Sequence, residues 1–372
     1  MMKPLLLFLI LLPLTAGALV IYPEIYTSET LKNKYEKYSF RVLIVPGHDD
    51  ETKNGAVYRG LLEADLNVKL AQELKRFLET DPRFQVILTR DENGYQPYLV
   101  DLFQEGRSEV TEFRDRVKKV HRELVGGGLL KDTEAPVAHV SVSSEDSIKL
   151  YGINYWVGRN SVDLVLHVHF NDYPGRLRAF PGKYTGFAIY TPDRQLPNGR
   201  ASGELAKSIF ERLKKYFTVS DFPKESTGII EDPDLIALGA SGSLYNPALL
   251  IEYGYIYETQ FIDVDVRPMA VQELAYQTFL GIKKYLDPND DSVESSILPY
   301  IWRNGVGIGL RADPDIFALQ LALMAEEVYG CGPTGNFFNC THRGVIALQK
   351  KYGISPTGFV GPKTLELLNS LY

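Results

Sequence analysis

The chain has 372 residues, enough for one large folded unit and a smaller one, and carries a net charge of −7 with no long basic tract. That balance argues against nucleic acid as a partner, because nothing along the chain could replace counterions on a phosphate backbone. Acidity by itself names no substrate.

The first twenty residues, MMKPLLLFLILLPLTAGALV, place one lysine (Lys3) before an apolar run and then the small residues Ala16, Gly17 and Ala18. They predict a secretory signal peptide over residues 1–18 rather than a membrane span, with a retained N-terminal anchor as the alternative. No cysteine stands near the cleavage point to suggest a lipid anchor. No other stretch is apolar for long enough to cross a bilayer. The mature chain is therefore expected outside the cytoplasm, periplasmic or extracellular, with no stable membrane span.

Residues 41–45 (RVLIV) predict a buried strand, ended by Pro46 and Gly47, that delivers His48. Leu66, Leu70, Leu74, Phe77 and Leu78 recur at helical spacing over 64–79. A second strand is expected at 84–88 (FQVIL), terminating at Thr89, Arg90 and Asp91. Residues 120–150 break this rhythm with a glycine run at 126–128, the turn-rich KDTEAP at 131–136 and a serine-rich segment. They predict an inserted excursion that serves as surface elaboration, a lid or a regulatory element. Further strands are expected at 163–169 (DLVLHVH), 186–190 (GFAIY) and 247–251 (PALLI), the last running into Glu252. Helices are expected at 202–217 and 270–286. Apolar strands alternating with helices give an α/β fold, a twisted, mostly parallel or mixed sheet flanked by helices, and such sheets bind ligands at the carboxyl ends of their strands.

The acidic, proline-containing stretch LDPNDDSVESS begins a linker over 286–300. Residues 301–372 then predict a small all-helical domain whose core alone would be marginal. The only cysteines, Cys331 and Cys340, lie within it. In an oxidising compartment such a pair closes a short loop; two free buried thiols are the alternative, and a metal site from two cysteines alone fits poorly.

Four residues carry the chemistry of the larger unit, 19–285. His48, Glu63 and His169 sit at strand ends or a helix start, and two imidazoles with one carboxylate suit a single zinc ion while leaving a fourth position for water. Each also has a plain reading. A loop histidine fills half-buried positions, and an acid in a first helical turn complements the helix dipole. His167 shares a strand face with His169 but lies deeper, and suits a structural or hydrogen-bonding role better. Glu252, directly after an apolar strand, is either paired or at the mouth of a cleft, where it could move protons in a hydrolysis. No G-x-S-x-G elbow and no H-E-x-x-H helix is present.

In order, the chain shows VLIVPGH at 42–48, Gly55-Ala56, Glu63 ahead of Leu66-Asn67, Thr89-Arg90, His169-Phe170-Asn171 and Glu252-Tyr253-Gly254-Tyr255. This ordered set resembles the zinc-dependent N-acetylmuramoyl-L-alanine amidases of the amidase_3 type. The resemblance covers roughly residues 41–285 and implies His48, Glu63 and His169 as metal ligands and Glu252 as the catalytic glutamate. Asp49-Asp50 depart from it where glycines usually follow the histidine, and Tyr255 replaces a phenylalanine. Arg90 stays outside the implied catalytic set, as a group that orients acidic substrate or pairs with a surface carboxylate. The tail, through Leu319-Gln320, Leu348-Gln349 and Thr357 to Thr364, resembles a three-helix, type 1 peptidoglycan-binding domain. Together the two resemblances imply hydrolysis of the bond between N-acetylmuramoyl and L-alanine in peptidoglycan, at the cell wall, with the need for an activator protein left open. A zinc peptidase cutting within the stem peptide, and a non-catalytic wall-binding or amidase-regulating protein, are the alternatives.

Overall fold

The structure, a computed structural model, describes residues 26–49, 55–138, 142–173, 175–289 and 292–372. The expected signal peptide and Asp50 lie outside the described residues. The chain runs through α1 (Ser28–Glu36), β1 (Phe40–Pro46), the short pair β2 (Val57–Tyr58) and β3 (Leu61–Leu62), α2 (Glu63–Leu78) and β4 (Phe84–Leu88). A second short pair, β5 (Arg90–Asp91) and β6 (Gly94–Tyr95), leads into α3 (Pro97–Gln104), α4 (Arg107–Gly126) and α5 (Ser144–Val157). Then come β7 (Leu164–Asn171), β8 (Ala188–Pro192), α6 (Gly199–Tyr216), β9 (Ile229–Asp232), β10 (Ala248–Tyr255), α7 (Thr259–Ile262) and α8 (Arg267–Leu286). Helices α9 (Pro314–Ala325), α10 (Asn339–Lys351) and α11 (Pro362–Leu371) form the tail.

Six strands make one sheet in the order β4-β1-β7-β10-β8-β9. Neighbours are parallel except β10 and β8, so the sheet is mixed. Its central strands β1, β7 and β10 are covered on both faces, which is why they read as nearly unbroken apolar runs. Alternate side chains enter two cores. Ile44, Val168 and Ile251 face one that is shared with α2, α6 and α8. Leu43, Val165 and Leu250 face the other, closed by α3, α5 and the turns near Ile236. Helix α8 lies between α2 and α6, and Gly281 permits the approach, because a Cβ there would fall 2.5 Å from Ile209 Cα.

Most expected elements form within a few residues of their predicted bounds, and the differences have physical causes. The strand expected at 186–190 starts two residues later, since Gly186 takes φ +96° and Phe187 bridges Val219. The expected excursion at 120–150 is narrower, because α4 reaches Gly126 and α5 begins at Ser144. The two helices are buried to very different extents. Only Val110 of α4 is buried, whereas α5 is buried around much of its circumference, from Ile148 to Val157.

The 286–300 stretch is fastened to α8 along part of its length. Buried Glu273 accepts hydrogen bonds from the Ser295 hydroxyl and from the Ser296 amide and hydroxyl. Beyond it, Trp302, Phe317, Leu321, Phe337, Leu348 and Leu368 belong to the same apolar cluster as α6 and α8. The tail therefore does not rely on its own small core. Two glutamines at matching helical positions organise its loops: Gln320 receives the amides of Thr334 and Gly335, and Gln349 receives that of Gly358.

Cys331 and Cys340 form a disulfide, nine residues apart. A loop of that length restricts the unfolded chain by about 2–3 kcal/mol. Replacing both cysteines by serine is expected to lower the stability of the tail by that amount, read as a shift of its denaturant midpoint. No shift would show that the 331–340 loop is held by its other contacts.

Candidate metal centre

The carboxyl ends of β1, β7 and β10 bring the expected site residues together. In the register of β10 against β7, Glu252 stands opposite His169, and His167 one step deeper stands opposite Leu250. His48 follows the Pro46-Gly47 turn in a left-handed conformation, φ +59°. Gly47 is required by the neighbouring ring, because a Cβ there would lie 2.1 Å from His169 Cε1. Glu63 opens α2, and its backbone amide is held by the Ala56 carbonyl at 2.9 Å.

Glu63 Oε1 lies 3.3 Å from His48 Nε2 and 3.2 Å from His169 Nδ1. One ligand atom from each of the three lies within 4.8 Å of the other two, and among the described residues this is the one cluster of its kind. The carboxylate is fixed on its far side, where Oε2 accepts the Ala56 amide at 2.7 Å and Oε1 the Phe170 amide at 3.2 Å. Burial would raise the Glu63 carboxyl, but the two histidines beside it hold it far below the usual carboxylate range. Burial lowers His169, and its bond to Glu63 offsets this only in part. Burial acts the same way on His48, but the charge and the hydrogen bond of Glu63 together outweigh it and the net shift is upward. An ionised carboxylate between two imidazoles, with all three donors converging, is a set that fits a divalent cation of borderline softness.

Glu252 is half-buried, and its Oε2 has no hydrogen-bond partner. Its carboxyl is raised well above the ordinary value, first by burial and then by the charges of Glu63 and Glu225. A carboxyl in that state holds a proton more readily than a solvated one. His167 stays outside the trio. It is 1% exposed, and burial pushes it down to about 3, so it is a neutral ring beneath His169.

Three supporting groups were not legible as such in the sequence. Arg90 is 3% exposed and donates to the carbonyls of Pro46, Gly47 and Ala64, so it ties the His48 turn to the first turn of α2. Neither sequence expectation for Arg90 anticipated this role. Glu225, from the loop after α6, accepts hydrogen bonds from Asn171, Tyr190, Ser220 and Tyr255, joining the ends of β7, β8 and β10. Lys149 of α5 donates to Asp49, the residue after His48, at 2.7 Å, and both are nearly buried. Their signal in the sequence was weak, since each relies on a partner 26 to 100 residues away. Lys149→Met is expected to destabilise the fold by about 3 kcal/mol, and the added change Asp49→Asn to recover most of that loss. Denaturant titration of both singles and the double measures it, and strictly additive losses would count against the pair.

A cleft of about 1040 Å³ opens over these groups. His48, His167 and His169 line it together with Tyr95, Val137, Leu150 and Leu235. It is large enough for a glycopeptide segment, and Asp49, Glu134, Asp146 and Lys149 add charge to its lining.

Residues 42–284 match the family model for N-acetylmuramoyl-L-alanine amidase, and residues 312–368 match that of a peptidoglycan binding domain. No curated protein matches. Among solved structures, an N-acetylmuramoyl-L-alanine amidase from Clostridium difficile 630 is 19% identical, with 68% of this chain and 98% of that one covered and a TM-score of 0.42. The CwlD amidase from Clostridioides difficile, solved in complex with the GerS lipoprotein, is 17% identical over 67% of this chain and 100% of that one, with a TM-score of 0.43. The catalytic domain of CwlV from Bacillus (Paenibacillus) polymyxa var. colistinus is 16% identical over 67% and 98%, with a TM-score of 0.41. Since the first of the matched spans starts within β1 and stops within α8, it takes in the strand ends that converge on Glu63, and the chain belongs to the N-acetylmuramoyl-L-alanine amidases, a family that cleaves peptidoglycan.

Proposed function

We propose that this amidase works with one zinc ion held by His48, Glu63 and His169, with Glu252 as its proton-transfer residue, on the wall of a cell that exports it. The observation that carries the reading is the convergence of three ligand atoms within 4.8 Å beside the carboxylate of Glu252. When bound, zinc would polarise the scissile carbonyl and make water a stronger acid. Glu63 is buried and anchored by two backbone amides, so it keeps the two imidazoles at a fixed spacing. Glu252, raised by burial, takes the proton of the attacking water and returns it to the L-alanine nitrogen as that amide bond breaks. The muramoyl carboxyl and a free stem peptide are the products.

The tail supports a wall-bound enzyme, because holding the polymer raises the local concentration of scissile bonds. Among the described residues no helix is long and apolar enough to cross a membrane. Export itself rests on residues 1–18. An activating protein, left open by the sequence, would show itself as a requirement when the purified chain is assayed alone.

Mass spectrometry of digested wall fragments tests the reaction. Released peptides should begin with a free L-alanine amine, while cuts beyond L-alanine would make this a stem-peptide peptidase. Metal analysis of the purified chain should find one zinc per molecule.

A further inference from the structure

The tail carries an exposed apolar edge that the catalytic reading does not use. Phe359, Phe338, Ile308 and Leu310 are 51%, 42%, 60% and 43% exposed. They are joined through short links. The backbone of 309–310 pairs with Phe337, the residue before Phe338. The Arg311 guanidinium lies 4.9 Å from the Phe338 ring centroid. The ring of Phe359 rests against Gly307, where a Cβ would come within 2.8 Å of Cδ2. Gly305 and Gly361 stand equally close to that ring, within 3.1 Å and 3.4 Å by the same measure.

The Phe359 turn is built to stay in place. Gly358 has φ +71° and lies against His342, where a side chain would strike the imidazole at 2.2 Å. Gln349 spans the turn, receiving the Gly358 amide and donating to the Phe359 carbonyl, both at 2.9 Å. A half-exposed aromatic ring on a glycine bed, held by a buried amide, loses little entropy when something stacks on it. Four exposed apolar side chains gathered along one paired backbone segment are a candidate binding edge.

We infer that this Phe359–Phe338 edge is where the tail docks the glycan strand of peptidoglycan. The inference deepens the wall-binding reading of residues 312–368 and rests on it. The choice of glycan over stem peptide follows from chemistry. β-Linked pyranose rings present flat C–H faces that stack on aromatic rings, whereas a stem peptide presents carboxylates that require cations. The edge offers two aromatic and two aliphatic side chains, and among the described residues the cation found over either ring is Arg311, on Phe338.

The test uses the full chain in a Glu252→Gln background, so that the wall is not digested, and measures binding to purified sacculi by sedimentation. Phe359→Ala and Phe338→Ala are each expected to raise the half-saturation concentration about tenfold, and Phe359→Trp to preserve binding. Should alanine loosen the turn, Phe359→Leu retains apolar bulk without a ring face, and it is expected to bind as weakly. Peptide-free glycan strands should compete for the wild-type tail and free stem peptides should not. With Glu252 restored, turnover of a small soluble muramoyl peptide should be the same for all these variants. Undiminished sacculus binding by the double alanine variant, or competition by stem peptides alone, overturns the inference. Failure of the unsubstituted tail to bind sacculi overturns the wall-binding reading itself, so the two failures are distinguishable.

Discussion

Replacing Glu252 by glutamine is expected to leave metal content intact and to lower turnover by about a hundredfold to ten-thousandfold. The side chain stands opposite His169 in the β7–β10 register but is not one of the three clustered donors, so its loss removes no ligand. Glutamine keeps the volume and most of the polarity while removing the ability to exchange a proton. Burial and the nearby carboxylates raise Glu252, so it binds a proton more readily than an exposed glutamate does. Metal analysis beside steady-state kinetics on one preparation decides the matter. A variant with normal kcat would assign proton transfer elsewhere, and one that lost its metal would make Glu252 part of the ligand set.

Changing His169 to alanine is expected to remove metal and activity together. The affinity loss should exceed the 10- to 100-fold typical of removing an outer hydrogen-bond partner of a ligand. The ring is fitted into space that only glycine at position 47 leaves open, so no neighbour can take its place without rebuilding the turn. His167→Ala serves as the contrast, because its ring lies a step deeper and outside the cluster. That variant is expected to retain metal and lose some stability, as large-to-small changes in buried positions do. Calorimetric titration with zinc measures both. Full occupancy in the His169 variant would shift the ligand assignment to His167.

Much of the larger unit was legible because its central strands are buried on both faces. An apolar run such as PALLI must form a covered strand wherever the chain is compact, and the first polar residue after it must lie at the strand's end. That reasoning placed His48, His169 and Glu252 at one edge of the sheet without any distance being known. Glu63 was readable as a helix start, but an acid at a helix start is commonplace. Its distinction comes from the Ala56 and Phe170 amides, which approach from a loop and from another strand. Helix α5 was not legible because a helix buried on most sides shows no apolar stripe, whereas α4 carries one in Val110, Phe113 and Val117 that the sequence reading did not use.

Local pattern was enough for the alternation of strands and helices, the strand ends that bear His48, His169 and Glu252, the helix start that bears Glu63, and the cysteine pair able to close a short loop. These follow from local rules: period of hydrophobicity, turn residues and loop length. Only the tertiary structure decided that Glu63 meets both histidines within 3.3 Å, that Arg90 clamps the His48 turn, and that Glu225 gathers donors from the ends of three strands. It also decided that the tail shares a core with α6 and α8. Such contacts join residues from 15 to well over a hundred positions apart, and their geometry is set by how sheet and helices pack against each other, which no local pattern of residues encodes.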